Sequence, residues 1–390
     1  MKDYNKKSLE LHEKLKGKLS VISKIPLKTK EDLSLAYTPG VAEVSKKILE
    51  NPEEIYKYTI KGNSVAVISD GSAVLGLGNI GAEAAIPVME GKAILFKEFA
   101  NIDAFPICIK EQNTQKTIEI IKNISPVFGG INLEDFKAPE CFEIESGLQN
   151  LGIPVMHDDQ HGTAIVVLAA LINSLKLRKL KKENVKIVIS GAGAAGIAVT
   201  KILLKYGFQN LIVLDSEGII YEGRENLNKY KKEISVLTNH DLIKGDLNVA
   251  LKNSDIFIGV SKPNILSEGM IKIMNKKPII FAMANPIPEI MPDIAKKAGA
   301  FIIATGRSDF PNQVNNVLAF PGVFRGALDI KAKKITDEMK IAAAEALASL
   351  VKPDVDKILP SPLDKSVVTA IAEAVKMVYK EWLFIFYAKI

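Results

Sequence analysis

Short apolar runs alternate with longer segments of helical periodicity along most of the chain. Apolar residues spaced three and four apart predict amphipathic helices at residues 5–19 and 41–50. Uninterrupted apolar runs predict buried parallel strands at residues 64–69, 103–109, 131–132, 153–157, 185–190, 211–214, 255–260, 278–282 and 301–304. Further helices are predicted at residues 82–91, 114–123, 138–150, 162–176, 197–206, 337–350 and 364–383. This alternation predicts an α/β fold.

A glycine-rich turn, GAGAAG at residues 191–196, follows the predicted strand at residues 185–190 and opens a helix. Its G-x-G-x-x-G spacing lets a backbone approach a pyrophosphate at the positive end of the helix. Asp215 ends the next strand, where a carboxylate can accept hydrogen bonds from an adenosine ribose. These features in this order predict a Rossmann-type dinucleotide-binding domain. Its candidate cofactor contacts are Gly191, Gly193, Ala194, Ala195, Gly196, Asp215, Ser261 and Asn285.

The composition limits the number of domains, the kinds of partner and the cellular location that we expect. The chain has 390 residues, which suggests two domains or slightly more, and its net charge of +6 is spread over single lysines rather than a nucleic-acid patch. No apolar run reaches the length of a membrane span, and the polar N-terminus lacks the features of a secretory leader. Cys108 and Cys141 lack metal-site spacing, so we expect free thiols in a reducing compartment and a cytoplasmic location.

Two acidic pairs follow neighbouring strands of the predicted first domain. Glu134-Asp135 comes after the strand at residues 131–132, and Asp158-Asp159 after the strand at residues 153–157. Either pair alone favours a helix cap or a solvated loop, but carboxylates gathered at adjacent strand ends repel one another unless a cation joins them. Oxygen ligands favour Mg²⁺ or Mn²⁺, and zinc is the weaker interpretation although histidines flank the second pair.

Lys92 and Tyr37 are candidate proton-transfer residues. We predict Lys92 between the end of a helix and a strand, where a nearby cation would disfavour its charged form and allow it to act as a base. A surface lysine is the alternative. Tyr37 precedes Pro39-Gly40 and is either a general acid or a half-buried aromatic residue. Spacing alone decides neither case.

Six segments carry a family resemblance. In chain order they are YTPGVA at 37–42, SDGSAVLGLGNIG at 69–81, MEGKAILFK at 89–97, NLEDF at 132–136, HDDQHGTA at 157–164 and FPNQVNNVLAFPG at 310–322. They resemble the malic enzymes in their compact bacterial form, over nearly the whole chain. The resemblance implies metal-dependent oxidative decarboxylation of L-malate to pyruvate and CO₂, with NAD or NADP and with Mg²⁺ or Mn²⁺.

The resemblance also implies roles for individual residues. Tyr37 matches the family's general acid, Lys92 its general base, and Asp158 the acid that supports the lysine and the metal. The matching metal ligands are Glu134, Asp135 and Asp159. The matching substrate contacts are Ser72, Lys92, Asn285 and Asn315. Larger malic enzymes hold a substrate carboxylate with an arginine of the substrate domain, but no arginine precedes Arg178 here, so another group must do so.

The expected organisation is a substrate and metal domain at residues 1–160, a dinucleotide domain at residues 161–330, and C-terminal helices at residues 331–390 that pack on the body or on a partner subunit. A homodimer is expected from the resemblance and the apolar terminal helices. Asp215 favours NAD over NADP because its charge would repel a 2′-phosphate, although Ser216 and Arg224 are near enough to soften this preference. The alternative function is a metal-independent amino-acid or hydroxy-acid dehydrogenase without decarboxylation.

Overall fold

Four helices precede the first strand of the structure, a computed structural model that describes residues 4–74 and 76–387. They are α1 (Tyr4–Leu15), α2 (Lys30–Ala36), α3 (Val41–Glu50) and α4 (Ile55–Tyr58). We call residues 4–60 the amino-terminal arm. The two amphipathic helices predicted here are confirmed, as α1 and α3. No residue of the arm is buried, although the arm is rich in leucine, isoleucine and valine.

The first domain is built on a four-stranded parallel sheet with strand order β2-β1-β3-β4. Its elements are β1 (Ser64–Ser69), α5 (Gly81–Ala100), β2 (Asp103–Cys108), α6 (Thr114–Ile124), β3 (Gly130–Leu133), α7 (Glu140–Leu148) and β4 (Val155–His157). The central strands β1 and β3 are buried along their whole length, as strands covered by helices are. The carboxyl ends of the four parallel strands meet at one edge, which we call the carboxyl edge.

A long helix, α8 (Asp158–Arg178), leads from the first sheet to the second. In the part of the chain that the structure describes, it is the one helix with the length and apolar composition of a membrane span, but 72% of its apolar 18-residue window is buried inside the protein. It is therefore a core helix. It begins earlier than predicted, so that Asp158 and Asp159 form its first turn rather than a loop.

The second domain is built on a six-stranded sheet with strand order β10-β9-β8-β5-β6-β7, parallel except for β7. Its elements are β5 (Lys186–Ser190), α9 (Ala194–Tyr206), β6 (Asn210–Asp215), β7 (Gly218–Ile219), α10 (Lys229–Leu237), α11 (Leu247–Leu251), β8 (Ile256–Gly259), α12 (Glu268–Lys272), β9 (Ile279–Ala282), α13 (Pro292–Lys297) and β10 (Ile302–Thr305). Strand β6 lies on one side of β5, and the chain then crosses over so that β8 lies on the other side of β5. The predicted Rossmann-type domain is confirmed, with its topological switch point at β5.

Three helices complete the described chain: α14 (Phe320–Asp329), α15 (Asp337–Ser349) and α16 (Ser366–Tyr387). They pack against one another, and α14 also packs against α5 of the first domain. The rings of Phe320 and Phe324 lie 4.7 Å and 5.4 Å from the ring of Phe96, between centroids. The chain thus returns to cover the first domain after completing the second.

Candidate active site

Lys92 lies at the carboxyl edge of the first sheet, between two carboxylates. Its Nζ is 2.6 Å from Oδ2 of Asp158 and 2.8 Å from Oε1 of Glu134, and its side chain is only 8% exposed. The ring of Phe320 covers the ammonium, with its centroid 4.3 Å from Nζ. The prediction that Lys92 follows a helix end is wrong, because α5 continues through the glycine before it. Lys92 lies on the buried face of that helix.

The predicted convergence of the two acidic pairs is confirmed. Glu134 and Asp135 directly follow β3, while Asp158 and Asp159 open α8. Oδ2 of Asp159 accepts a hydrogen bond from the backbone N–H of Asp135 over 2.8 Å, which joins the loop to the helix. One carboxylate oxygen each from Glu134, Asp135 and Asp159 lies within 4.8 Å of the others. The positive end of the α8 dipole favours this gathering of negative charge.

This donor set fits a hard divalent cation. Carboxylate oxygens are the ligands that Mg²⁺ and Mn²⁺ prefer. Neither His157 nor His161 belongs to this group of three acids. His161 bonds Glu145 over 3.0 Å, and Nε2 of His157 lies 3.8 Å from a carboxylate oxygen of Asp159. Burial lowers the pKa of His157 to about 4, although Glu145 opposes this, so His157 is neutral at pH 7. The geometry therefore favours magnesium or manganese over zinc.

Burial controls the protonation of the cluster. The pKa of Glu134 is raised to about 7 by burial, with Lys92 opposing the rise and Asp159 adding to it. Burial likewise raises the pKa of Asp158 to about 6, against the attraction of Lys92. Burial disfavours the Lys92 ammonium, but Asp158 and Glu134 outweigh it and raise the pKa of Lys92. Lys92 is therefore charged in this arrangement, and a cation held by Glu134 would lower its pKa.

Ser72 fixes the loop next to the acids. Its backbone N–H donates to Oδ1 of Asp70 over 2.9 Å, and its hydroxyl accepts the N–H of Lys137 over 2.9 Å. The next residue, Ala73, donates its N–H to the carbonyl of Asp135 over 2.9 Å. Ser72 thus lies beside the acidic cluster, and its amide and hydroxyl already bond protein groups.

A cavity of about 990 Å³ lies at the switch point of the second sheet, lined in part by Gly191, Gly193, Asp215 and Ser261. Gly191 has a φ of +117°, and a Cβ on Gly196 would lie 1.7 Å from the carbonyl oxygen of Gly191, so both positions require glycine. A Cβ on Gly193 would meet no atom within 4 Å. The open side of the turn and the N-terminus of α9 therefore offer room and N–H donors for a pyrophosphate.

Asp215 is neutralised by two cations at the rim of this cavity. Its Oδ2 accepts hydrogen bonds from Nη2 of Arg224 and, over 2.7 Å, from Nζ of Lys231. Burial would raise the pKa of Asp215, but these bonds outweigh it and lower the pKa to about 2. The Asp215 side chain is 5% exposed, whereas those of Arg224 and Lys231 are 10% and 23% exposed. The groups nearest to solvent at this position are therefore positive.

Glu289 is a site residue that sequence reasoning missed. It is fully buried, and its carboxylate accepts the backbone N–H of Ser261 over 3.1 Å and that of Ala284 over 3.0 Å. A Cβ on Gly259 would lie 2.3 Å from the Glu289 carboxyl carbon, so the side chain packs directly on the end of β8. Glu289 thus joins the ends of β8 and β9. An acid within the apolar segment IPEIM was the available signal.

The two predicted asparagines differ in their surroundings. Asn285 lies where the domains meet, because a Cβ on Gly76 of the first domain would lie 3.5 Å from its carbonyl oxygen. A Cβ on Gly306 would come within 2.6 Å of its Nδ2, so Asn285 packs closely against the end of β10. Asn315 caps a 3-10 turn by accepting the N–H of Val317 over 3.0 Å. Its amide oxygen is therefore engaged locally.

Tyr37 is not brought to the cluster within this chain. It follows α2 in the amino-terminal arm, and 68% of its surface is exposed. Its backbone bonds Leu33 and Val41, and its hydroxyl has no hydrogen-bond partner among residues 4–74 and 76–387. Lys92, Glu134 and Asp158 thus assemble without Tyr37.

Comparison with known proteins identifies the family of the chain. Residues 16–119 match the family model "Malic enzyme, N-terminal domain", and residues 160–380 match "Malic enzyme, NAD binding domain". The chain is 56% identical to the bifunctional malic/malolactic enzyme of Bacillus subtilis, over 94% of this chain and 91% of that protein. It is 48% identical to the NADP-dependent malic enzyme of Escherichia coli, over 96% of this chain and 52% of that protein.

Solved structures agree with these sequence matches. The NAD-dependent malic enzyme of Thermotoga maritima is similar with a TM-score of 0.93 and 52% identity, over 95% of this chain and 98% of that one. The malic enzyme of Entamoeba histolytica has a TM-score of 0.93 at 38% identity, over 97% of this chain and 82% of that one. The predicted resemblance and its α/β fold are therefore confirmed.

Proposed function

The chain belongs to the malic enzyme family, and we propose that the cluster around Lys92 is the place where it performs the family reaction. That reaction is the oxidative decarboxylation of malate with NAD or NADP. One observation carries the assignment of the place: Glu134 pairs with Lys92 over 2.8 Å and also belongs to the acid group that fits a divalent cation. The carboxylate of Glu134 would thus contact both the proposed base, Lys92, and the divalent ion.

Lys92 is the general base in this proposal. It takes the proton of the malate hydroxyl while hydride leaves the carbon that bears this hydroxyl for the dinucleotide. Asp158, 2.6 Å away and completely buried, holds Nζ in position and stabilises the ammonium that results. Loss of CO₂ leaves an enolate, and Tyr37 donates a proton to its carbon to give pyruvate. Lys92 then passes the proton that it took from the hydroxyl to Tyr37.

Glu134, Asp135 and Asp159 would hold the divalent ion. When bound there, the ion acidifies the malate hydroxyl and stabilises the negative charge on the same oxygen once CO₂ is lost. Ser72, Asn285 and Asn315 are the proposed substrate contacts, with Ser72 beside the acids and Asn285 between the domains. In place of an arginine, the side-chain NH₂ groups of Asn285 and Asn315 are the proposed donors to the substrate carboxylate, since the N–H groups of Ser72 and Ala73 already donate within the protein.

We further propose that the chain uses NADP as well as NAD. The carboxylate of Asp215 is compensated by Arg224 and Lys231, so it does not present a bare negative charge to a 2′-phosphate. Both cations line the same cavity as the glycine-rich turn. They support phosphate binding through charge-assisted hydrogen bonds, while Asp215 itself still supports a ribose diol.

A spectrophotometric assay tests the proposed function. Purified protein is incubated with L-malate and either dinucleotide, with Mn²⁺ or with EDTA, and pyruvate and lactate are quantified separately. We expect reduced dinucleotide and pyruvate in equal amounts, and loss of activity with EDTA that Mn²⁺ restores. Oxidation without decarboxylation that is insensitive to EDTA would instead favour the metal-independent dehydrogenase.

A cytoplasmic location is also proposed. Cys108 and Cys141 are both free thiols, and Cys141 is buried. Such thiols persist in a reducing compartment. Fractionation of the producing cells followed by detection of the chain would test this, with recovery in a membrane or external fraction as the contrary result.

A further inference from the structure

Glu145 is a mostly buried acid that the reaction proposed above does not use. It lies on α7, and its side chain is 12% exposed. It is outside the acid group of Glu134, Asp135 and Asp159, and with His161 it lines a different cavity of about 740 Å³. Burial would raise the pKa of Glu145, but its contact with His161 outweighs burial and lowers the pKa to about 2. Glu145 therefore carries a full negative charge near neutral pH.

Both carboxylate oxygens of Glu145 bind the segment that opens α8. Oε1 accepts the backbone N–H of His157 over 2.9 Å. Oε2 accepts a hydrogen bond from Nε2 of Gln160 over 3.3 Å and lies 3.0 Å from Nε2 of His161. These partners come directly before and directly after the pair Asp158-Asp159 in the chain. Glu145 thus holds both sides of the turn that carries the two aspartates of the proposed site.

The first turn of α8 lacks a cap of its own. In a capping box, the N-cap side chain accepts an N–H of the first turn, and an acid or amide at the third helical position accepts the N–H of the N-cap residue. His157 is the N-cap residue of α8, and its side chain makes no such bond. The third position is Gln160, whose NH₂ group donates to Glu145 instead. Glu145 therefore supplies, from α7, the acceptor for the N–H of His157.

The two aspartates of this turn are engaged in the site and tolerate little displacement. Asp159 accepts the N–H of Asp135 over 2.8 Å, and Asp158 pairs with Lys92 over 2.6 Å. Space around the turn is tight, because a Cβ on Gly162 would lie 1.9 Å from Oδ1 of Asp158. A small shift of the turn would therefore move the carboxylates away from the groups that they contact. Hydrogen bonds from outside a metal site are what fix its ligands against such shifts.

We propose that Glu145 is a positioning residue for the divalent-cation site, which holds the first turn of α8 so that Asp159 faces the ion. The proposal rests on the metal site of the proposed function. Substitution of a residue that orients metal ligands from outside typically lowers metal affinity or activity by about 10–100-fold. Glu145 does not line the cavity at the glycine-rich turn, so its loss should leave dinucleotide binding intact.

Titration of the purified chain with Mn²⁺ tests the proposal without turnover. Electron paramagnetic resonance measures free Mn²⁺, and so gives its dissociation constant in the absence of malate and dinucleotide. Glu145→Ala should raise this constant by about tenfold or more, while fluorescence titration shows unchanged affinity for reduced dinucleotide. Glu143→Ala removes an exposed acid of the same helix and should change neither constant. An unchanged Mn²⁺ constant in Glu145→Ala, or an equal loss of dinucleotide affinity, would overturn the proposal.

Two further variants separate positioning from charge and from folding. Gln160→Leu removes one bond of Glu145 without changing any charge and should raise the Mn²⁺ constant several-fold. If Gln160→Leu binds Mn²⁺ like the wild type, charge alone explains the effect of Glu145→Ala, and the proposal is overturned.

If Glu145→Ala does not fold, Glu145→Gln decides in its place. It keeps an acceptor for the N–H of His157 but loses the charge that strengthens the bonds, so a several-fold rise is expected and an unchanged constant contradicts the proposal. A wild type that did not bind Mn²⁺ would show instead that the proposed metal site is wrong, which is a different outcome.

Discussion

The ammonium of Lys92 and the carboxylate of Asp158 lie 2.6 Å apart, although 66 positions separate the two residues in the chain. Lys92 comes from the middle of α5, and Asp158 is the first residue of α8. Both side chains are almost completely withdrawn from water. The ion pair therefore fixes the proposed base against the helix that also carries Asp159, a proposed metal ligand.

Lys92→Ala should slow hydride transfer strongly. A positioned general base typically contributes a factor of about 10² to 10⁴ in rate, and we expect a loss in this range for malate oxidation. Single-turnover measurement of dinucleotide reduction checks this directly. The exposed Lys97 on the same helix provides the control, since Lys97→Ala should leave the rate unchanged. A Lys92→Ala protein that oxidises malate at nearly the wild-type rate would refute the assignment.

The raised pKa of Glu134, about 7, gives metal binding a pH dependence. A ligand must lose its proton to bind the ion, so affinity for Mn²⁺ should increase as the pH rises from about 6 to 8. In EDTA the free energy of unfolding changes with pH in the opposite direction, because Glu134 keeps its proton in the folded chain at pH values where the unfolded chain releases it. The stability due to Glu134 is then present below pH 4.5 and is lost as the pH rises to about 7. Thermal unfolding at several pH values, with EDTA or with Mn²⁺, measures both effects. Glu134→Gln should weaken the pH dependence in EDTA and leave the part that is due to Asp158.

Arg224→Ala and Lys231→Ala should each weaken the use of NADP more than the use of NAD. Loss of a charge-assisted hydrogen bond to a phosphate costs about 1.5–3 kcal/mol, so KM for NADP should rise by roughly tenfold or more. Lys232→Ala changes an exposed neighbour on α10 and should affect neither cofactor. Equal increases of KM for both dinucleotides would show that the two cations do not recognise the 2′-phosphate.

Glu289→Gln should loosen the dinucleotide site. The amide oxygen of glutamine can still accept one of the two backbone N–H groups of Ser261 and Ala284, but its NH₂ group opposes the other. We expect KM for the dinucleotide to rise several-fold with a smaller decrease in kcat. Glu289→Ala should raise KM and lower kcat further. Fluorescence titration with reduced dinucleotide separates this effect from a general loss of stability. Unchanged dinucleotide affinity in Glu289→Gln would contradict the positioning role.

Local patterns predicted most of the elements that carry the site. The strand at residues 64–69, the glycine-rich turn and the gathering of the acidic pairs follow from apolar runs, steric needs of the backbone and the parallel order of strands. The environment of Lys92 was misread because Gly91 looks like a helix end, whereas tertiary packing carries α5 through it. The ion pairs of Asp215 could not be predicted, since Lys231 comes from a helix that sequence periodicity did not reveal.

Helix α8 begins with Asp158 and Asp159 and ends beside the dinucleotide domain, and Asn173 near its far end donates hydrogen bonds to the carbonyls of Ala348 and Ile358 over 2.9 Å each. A buried helix is too stiff to absorb movement along its length. Because α8 packs on α9 and α15 and carries both aspartates in its first turn, a displacement of the first sheet against this helix would change the distances within the acid cluster.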